Sequence, residues 1–136
     1  MTEPRFLLDT NIFIYIRRRH PEQVVTRFRQ LNAGEAAVSV ITYGELLYGA
    51  EKSVTRDRAF EQLEELASLL QVLPMPMEAA AMYGGIRASL ETKGRMIGAN
   101  DIWIAAHAKA RNLVLVTNNE REFKRVAGLQ IQNWLE

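Results

Sequence analysis

The sequence has no cysteine, only two histidines and four prolines, and no long apolar run among its 136 residues. Without cysteine it can form neither a disulfide nor a cysteine-ligated zinc site, which fits a reducing cytoplasm. No apolar run approaches the roughly 20 residues of a membrane-spanning helix. Residues 1–5 lack the basic-then-apolar layout of a signal peptide. We therefore predict a cytoplasmic domain with no membrane segment, in which histidine-based nucleophilic catalysis is disfavoured.

Neither sign of charge is in excess, because 17 Lys and Arg residues stand against 16 Asp and Glu residues, for a formal net charge of +1. The overall charge thus neither favours nor excludes a nucleic-acid partner. Hydrophobic residues make up 48% of the chain, enough for one real core. No low-complexity tract or internal repeat interrupts the pattern. We predict a single domain over residues 1–136.

Short apolar runs alternate with segments of helical periodicity along the chain. Alternation of this kind predicts right-handed crossovers and an α/β fold, with a mostly parallel sheet between two layers of helices. The predicted strands are residues 6–8, 37–41, 71–73 and 113–116, with a last edge strand near Ile131. The predicted helices are residues 9–16, a second from Pro21, a third from Thr42, then 55–70, 77–93, 101–111 and 120–126.

Acidic and amide residues lie where a predicted strand or loop gives way to a helix. Asp9 ends the first apolar run, Glu45 lies one helical turn beyond the second, Asp101 opens a helix, and residues 117–120 (Thr-Asn-Asn-Glu) end the run 113–116. Each acid alone has a helix-capping explanation, and Glu45 would be the fourth residue of a capping box begun by Thr42. Together they would meet at the carboxyl edge of a parallel sheet, where ligands bind. Oxygen ligands of this kind predict a site for Mg²⁺ or Mn²⁺.

Basic residues surround the predicted acidic centre. Lys93 and Arg95 lie in the loop that leads to Asp101, Arg87 lies one or two turns earlier, and Arg121 and Lys124 follow the amide cluster. We expect Arg87, Lys93 and Arg95 to contact phosphate groups of a polyanionic substrate.

Two other features carry no predicted catalytic role. The three arginines 17–19 should lie about 12 Å from Asp9 along their helix, so we expect a solvated helix end or a partner contact there. His107 is about 120° around its helix from Asp101, and we interpret it as a surface or packing histidine.

Four motifs occur in order: Leu-Leu-Asp-Thr-Asn at 7–11, Thr-Tyr-Gly-Glu-Leu-Leu-Tyr-Gly at 42–49, Asn-Asp-Ile-Trp-Ile-Ala-Ala-His-Ala at 100–108, and Val-Thr-Asn-Asn at 116–119, with Phe123. Each is weak alone, but their order and separation are specific. The chain resembles the VapC-type PIN-domain ribonuclease toxins of type II toxin–antitoxin pairs. The resemblance covers essentially the whole chain and implies a PIN-domain-like three-layer α/β/α fold with about five strands.

The resemblance implies a Mg²⁺- or Mn²⁺-dependent endoribonuclease in which Asp9, Glu45 and Asp101 form the catalytic acidic triad. Asp9 and Asp101 would be the principal metal ligands, and Glu45 would bind directly or through water. Many members have Asp where Asn119 stands, so this amide would be a weaker ligand, unless Glu120 substitutes for it. The departure favours one metal ion over two. We expect the polar residues beside the triad to bind substrate, namely Thr10, Asn11, Thr117 and Asn118.

The resemblance also implies a substrate and partners. Structured RNA, with tRNA cleaved in its anticodon loop as the leading expectation, would be cut to leave a 5′-phosphate and a 3′-hydroxyl, which inhibits translation. A VapB-like antitoxin would inhibit the toxin, and the chain would form a homodimer.

Other readings of the residues stay open. A phosphatase of the haloacid dehalogenase type needs a second Asp where this chain has Asn11, and a signalling receiver domain needs a phosphoacceptor Asp after a middle strand. The more serious alternative is a non-catalytic RNA- or protein-binding module of the same fold with a weakened metal site, because function is argued from the site and not from the fold.

Overall fold

The structure is a computed structural model that describes residues 3–136, so the signal-peptide expectation lies partly outside it, at Met1 and Thr2. Within the described residues there are five strands: β1 Phe6–Leu8, β2 Ala36–Ser39, β3 Gln71–Leu73, β4 Val114–Val116 and β5 Ile131–Gln132. The helices of the same part of the chain are α1 Thr10–Arg18, α2 Glu22–Arg29, α3 Val40–Glu51, α4 Arg56–Ala67, α5 Ala79–Thr92, α6 Ala99–Ala110 and α7 Glu120–Phe123. No helix among residues 3–136 is long and apolar enough to cross a membrane.

The strands form one sheet in the order β3-β2-β1-β4-β5, and all four pairings are parallel. In the central strand β1, Leu7 lies in register with Ala37 on one side and Leu115 on the other. The chain moves outward from β1 through β2 to β3, and then returns to the other side of β1. The topological switch point therefore lies between β1 and β4, where a cleft opens beyond the carboxyl ends of the strands.

The sheet separates two apolar cores. Leu7 and Leu115 point into the core that α5, α6 and α7 cover, whereas Leu8 and Val38 point into the core that α1 to α4 cover. Successive strand side chains point to opposite faces, so short runs that are apolar throughout are what a sheet covered on both faces requires. The predicted three-layer α/β/α fold is confirmed.

The junction between β2 and α3 differs from the prediction. The strand ends at Ser39, and α3 begins at Val40, where the sequence predicted strand up to residue 41. Ser39 is the N-cap residue, and its hydroxyl accepts a hydrogen bond from the backbone N–H of Ile41 at 3.2 Å. The predicted capping box from Thr42 is wrong, because Thr42 is a buried residue in the first turn of the helix.

Other boundaries shift by a few residues. Helix α4 ends at Ala67 rather than at residue 70, and Leu69, which lies beyond it, is 53% exposed. Pro21 is the N-cap of α2 and not its first residue. Helix α6 begins at Ala99, which puts Asp101 inside its first turn instead of at its start.

Candidate active site

Asp9 lies between β1 and α1 with only 7% of its surface exposed. Its Oδ1 accepts a hydrogen bond from the backbone N–H of Thr10 at 2.8 Å, so the carboxylate does cap α1. Its Oδ2 accepts a hydrogen bond from the Thr117 hydroxyl, at the end of β4, at 2.9 Å. Burial raises the pKa of Asp9 above its ordinary value, and these two hydrogen bonds lower it by less.

Glu45 lies in the second turn of α3, where no cap requires it. The residue is solvent-exposed, yet loss of water around the carboxyl group and the nearby charge of Asp9 raise its pKa. A side-chain hydrogen bond with Thr10 acts in the opposite direction. The earlier start of α3 therefore removes the capping explanation for Glu45 and leaves a carboxylate that faces Asp9.

Asp101 is the third residue of α6, which follows the loop between α5 and α6. The pKa of Asp101 is raised to about 6. Burial is the largest cause, followed by the charges of Asp9, Glu122 and Glu45. An acid at this position is favourable for the helix dipole. The causes of the raised pKa are burial and the neighbouring carboxylates.

The fourth position of the predicted site is Asn119, which forms hydrogen bonds with its neighbours along the chain. The Nδ2 of Asn119 donates a hydrogen bond to Glu122 Oε2 at 3.2 Å, and its backbone N–H donates to the Thr117 hydroxyl at 2.9 Å. Glu120, the expected substitute, accepts a hydrogen bond from Asn133 at 3.4 Å. Glu122 is instead the acid whose charge acts on Asp101. Sequence reasoning missed Glu122, although its position three residues after Asn119, the N-cap of α7, was a usable signal.

We call Asp9, Glu45, Asp101 and Glu122 the acid ring. The pKa values of Asp9, Glu45 and Asp101 are raised. For Glu45 and Asp101, the charge of at least one other carboxylate of the ring contributes to this increase. Carboxylates that repel one another in this way suit a bound cation, so the donor chemistry fits Mg²⁺ or Mn²⁺. Within residues 3–136, no three His, Cys, Asp or Glu side chains converge closely enough to hold an ion by themselves. One or two carboxylates, water and substrate phosphate form the shell that Mg²⁺ commonly adopts.

The amide and hydroxyl residues predicted to bind substrate have different placements. Asn11 is exposed, and its Nδ2 donates to Asn118 Oδ1 at 3.4 Å. Asn118 Nδ2 donates in turn to the Tyr15 hydroxyl at 3.0 Å. Thr117 is fully buried with its hydroxyl bonded to Asp9, a position suited to holding that carboxylate, and its contact with substrate stays a prediction.

The predicted phosphate-binding residues also divide into two groups. Arg87 is engaged on the surface of α5, where its Nε donates to Glu91 at 3.0 Å and its Nη1 donates to the Tyr83 hydroxyl at 2.9 Å. Lys93 and Arg95 lie instead in a depression of about 270 Å³ that other basic side chains also line.

His107 is not at the surface. It is fully buried in α6, and its Nδ1 lies 2.9 Å from the hydroxyl of Ser39, the residue that caps α3. Burial, followed by the charge of Arg111, lowers the pKa of His107 to about 4, so it is neutral at pH 7. The packing interpretation is correct and the surface interpretation is wrong: His107 links the helix of Asp101 to the start of the helix of Glu45.

The arginines of α1 lie apart from the acid ring. Arg17 and Arg19 line a groove of about 410 Å³ that α2 and α4 complete with Phe28, Leu66 and Leu69. A groove that combines apolar and cationic side chains suits a protein partner with apolar and acidic residues.

The parallel sheet and the carboxylates at its switch point define the class as an α/β protein with an acidic site, and comparison with known proteins gives its family. The sequence profile described as PIN domain matches residues 6–129. The chain therefore belongs to the PIN-domain family.

Within that family the similar proteins are VapC ribonucleases. Ribonuclease VapC of Haemophilus influenzae is 47% identical over 131 residues, which cover 96% of this chain and 98% of the relative. The tRNA(fMet)-specific endonuclease VapC of Shigella flexneri is 45% identical over 130 residues, with the same coverage of 96% and 98%. A chain in the crystal structure of DNA-bound VapBC from Salmonella typhimurium superposes with a TM-score of 0.90 at 44% identity, covering 96% of this chain and 98% of that one. These similarities confirm that the chain is of the VapC type.

Proposed function

We propose that this chain is a Mg²⁺- or Mn²⁺-dependent endoribonuclease that cleaves tRNA and acts as the toxin of a VapBC-like pair. The observation that carries the proposal is the acid ring at the switch point, in which the charge of Asp9 helps to raise the pKa of both Glu45 and Asp101. A relative that is named as a tRNA(fMet)-specific endonuclease supports the choice of substrate. Such a substrate puts the activity in the cytoplasm, where it would inhibit translation.

The residues of the ring have separable roles. Asp9 and Asp101 would hold the cation, and Thr117 keeps Asp9 in one orientation through its hydrogen bond to Oδ2. The bound cation would neutralise charge at the scissile phosphate and lower the pKa of the attacking water. Glu45 is solvent-exposed, and its raised pKa suits it to accept a proton from that water. Asn119 positions Glu122 through the hydrogen bond at 3.2 Å, which gives this amide an indirect role.

Cleavage of purified tRNA tests the proposal. Antitoxin-free protein should cut tRNA with Mg²⁺ or Mn²⁺, and cleavage should stop with EDTA, with Asp9→Asn and with Asp101→Asn. Asp57→Asn is the matched control, because Asp57 is an exposed acid on α4, far from the ring in the fold. Undiminished cleavage by Asp101→Asn would contradict the metal site. Binding of tRNA without cleavage by the parent protein would support a non-catalytic binding module instead.

The antitoxin is proposed to bind the groove of α1, α2 and α4. Support comes from the structural similarity to a VapBC complex and from the exposed Leu69 beside Arg17 and Arg19. Leu69→Lys should weaken binding of a co-expressed VapB-like antitoxin at least tenfold. Val54→Lys is the control, because Val54 is fully exposed outside the groove. Equal binding by both variants would place the antitoxin elsewhere.

The predicted homodimer stays a prediction, which light scattering of the antitoxin-free protein tests.

A further inference from the structure

A depression of about 270 Å³ between the loop after α5 and the segment around α7 is lined almost entirely by basic side chains. We call it the basic depression, and its residues are Leu90, Lys93, Arg95, Arg121, Lys124 and Arg125. In the described part of the chain, none of its five cations forms an ion pair. Arg125 donates from Nη1 to the Met96 carbonyl at 3.0 Å, whereas its buried Nε has no hydrogen-bond partner. Five cations with no carboxylate among them attract an anion.

The basic depression shares two structural elements with the acid ring. The loop after α5 supplies Lys93 and Arg95 and then leads into α6, which carries Asp101. Helix α7 supplies Arg121 directly before Glu122. The hydrogen bond from Arg125 to Met96 joins the loop to the segment that follows α7. A strand whose phosphate lies at the acid ring would therefore have its neighbouring phosphates close to these cations.

The lining of the basic depression indicates what it recognises. It has no aromatic side chain on which a base could stack, and Leu90 is its one apolar residue. Lysine and arginine contacts of this kind position a nucleic-acid backbone without reading its sequence. Its volume is also below the range typical of pockets that enclose small organic ligands.

We propose that the basic depression binds backbone phosphates of the RNA substrate adjacent to the scissile bond. The proposal rests on the proposed function and deepens it, because it replaces separate phosphate contacts by one site built from the loop after α5 and from α7. The five cations increase affinity and fix the register of the strand, whereas the acid ring performs the chemistry.

The test compares two triple variants that remove the same charge. The site variant is Lys93→Gln/Arg95→Gln/Arg121→Gln, and the control is Arg18→Gln/Lys52→Gln/Arg58→Gln. Each replaces one lysine and two arginines, all six of them exposed, and the control residues lie on the opposite face of the sheet. Binding of fluorescently labelled bulk bacterial tRNA is measured in EDTA, which prevents cleavage, over a series of KCl concentrations.

The site variant should bind tRNA more weakly and with a shallower salt dependence than the control. Each phosphate contact contributes about 0.7 to the slope of log K against log salt concentration. The loss of three contacts should therefore weaken tRNA binding roughly a hundredfold in 0.1 M KCl. In Mg²⁺, the same variant should raise KM for tRNA while kcat stays within about twofold. Affinity and slope equal to those of the control would overturn the proposal. The proposal would also be overturned if a poly-glutamate peptide displaced the labelled tRNA as well as unlabelled tRNA does. The depression would then favour an acidic protein.

Failure of this proposal is distinguishable from failure of the nuclease. If the parent protein cleaves tRNA but the site variant binds as the control does, only the basic depression is refuted. If the parent binds tRNA through these residues and never cleaves it, the phosphate site stands and the nuclease proposal fails.

Discussion

Asp101→Asn should stabilise the protein in EDTA at pH 8 while abolishing its metal-dependent activity. In the folded protein the pKa of Asp101 is raised from 3.8 to about 6 by burial and by the charges of Asp9, Glu122 and Glu45. A carboxyl group with a raised folded-state pKa favours folding most below its unfolded pKa, and this benefit is lost as the pH rises through about 6. At pH 8 the ionised side chain therefore destabilises the fold, and the neutral amide does not.

The size of this effect follows from the two pKa values. The change from 3.8 to about 6 corresponds to about 3 kcal/mol at pH 8. Because Asp101 is only partly buried, solvent screening reduces this figure, and we expect a gain of about 1–2 kcal/mol in the free energy of unfolding. For a domain of this size, such a gain raises Tm by roughly 3–7 °C. Near pH 4 the parent and the variant should differ little, since both side chains are then largely neutral in the fold.

Thermal unfolding in EDTA at pH 4 and pH 8 measures the effect. Asp57→Asn is again the control, because the Asp57 side chain is 95% exposed beside Arg56, and its substitution should not stabilise. Addition of Mn²⁺ at pH 8 should raise the Tm of the parent and leave Asp101→Asn unchanged. If Asp101→Asn destabilises the protein equally at both pH values, the carboxylates of the ring do not repel one another and the reasoning is refuted.

Three further results are expected. Glu122→Gln should weaken Mn²⁺ binding, measured by calorimetry, by about 10–100-fold, whereas Glu120→Gln should match the parent; equal effects would remove Glu122 from the site. Thr117→Val should lower the free energy of unfolding by about 1–3 kcal/mol, because the Asp9 and Asn119 groups that it bonds lose a partner, and urea unfolding should show Thr117→Ser closer to the parent. The lowered pKa of His107, about 4 instead of 6.5, implies that stability is lost as the pH falls from 6.5 to 4, by up to roughly 3 kcal/mol; His107→Gln should show a flatter pH profile in urea unfolding.

The inner strands β1, β2 and β4 were predictable because each contains a short apolar run, as a sheet covered on both faces requires. The start of α3 was not, because Val40 and Ile41 are β-branched residues that favour a strand. The hydrogen bond between the Ser39 hydroxyl and the Ile41 N–H decides the boundary there. The deep position of His107 was missed for a related reason: a helical wheel gives direction around one helix, whereas α6 is buried on most of its surface.

The acidic site was predictable in part. Asp9, Glu45 and Asp101 follow elements whose ends the topology brings together, so sequence order and strand direction were sufficient. Glu122 depends on how a helix of four residues packs after β4, and no periodicity can be read from so short a segment. Where the resemblance led us to expect an acid, Asn119 donates a hydrogen bond to Glu122, three residues further along the chain.

The capping and metal-binding interpretations of Asp9 are compatible. An ionised carboxylate has about four lone-pair positions, and Asp9 uses one on each oxygen, for the Thr10 N–H and for the Thr117 hydroxyl. Two lone-pair positions remain for a metal ion. The two hydrogen bonds also restrict rotation of the carboxylate, and loss of this rotational freedom would otherwise oppose metal binding. The cap fixes the side chain to α1, and the threonine fixes it to β4, the strand across the switch point. The interactions that made Asp9 ambiguous in the sequence are thus the ones that would preorganise it as a ligand in the proposed site.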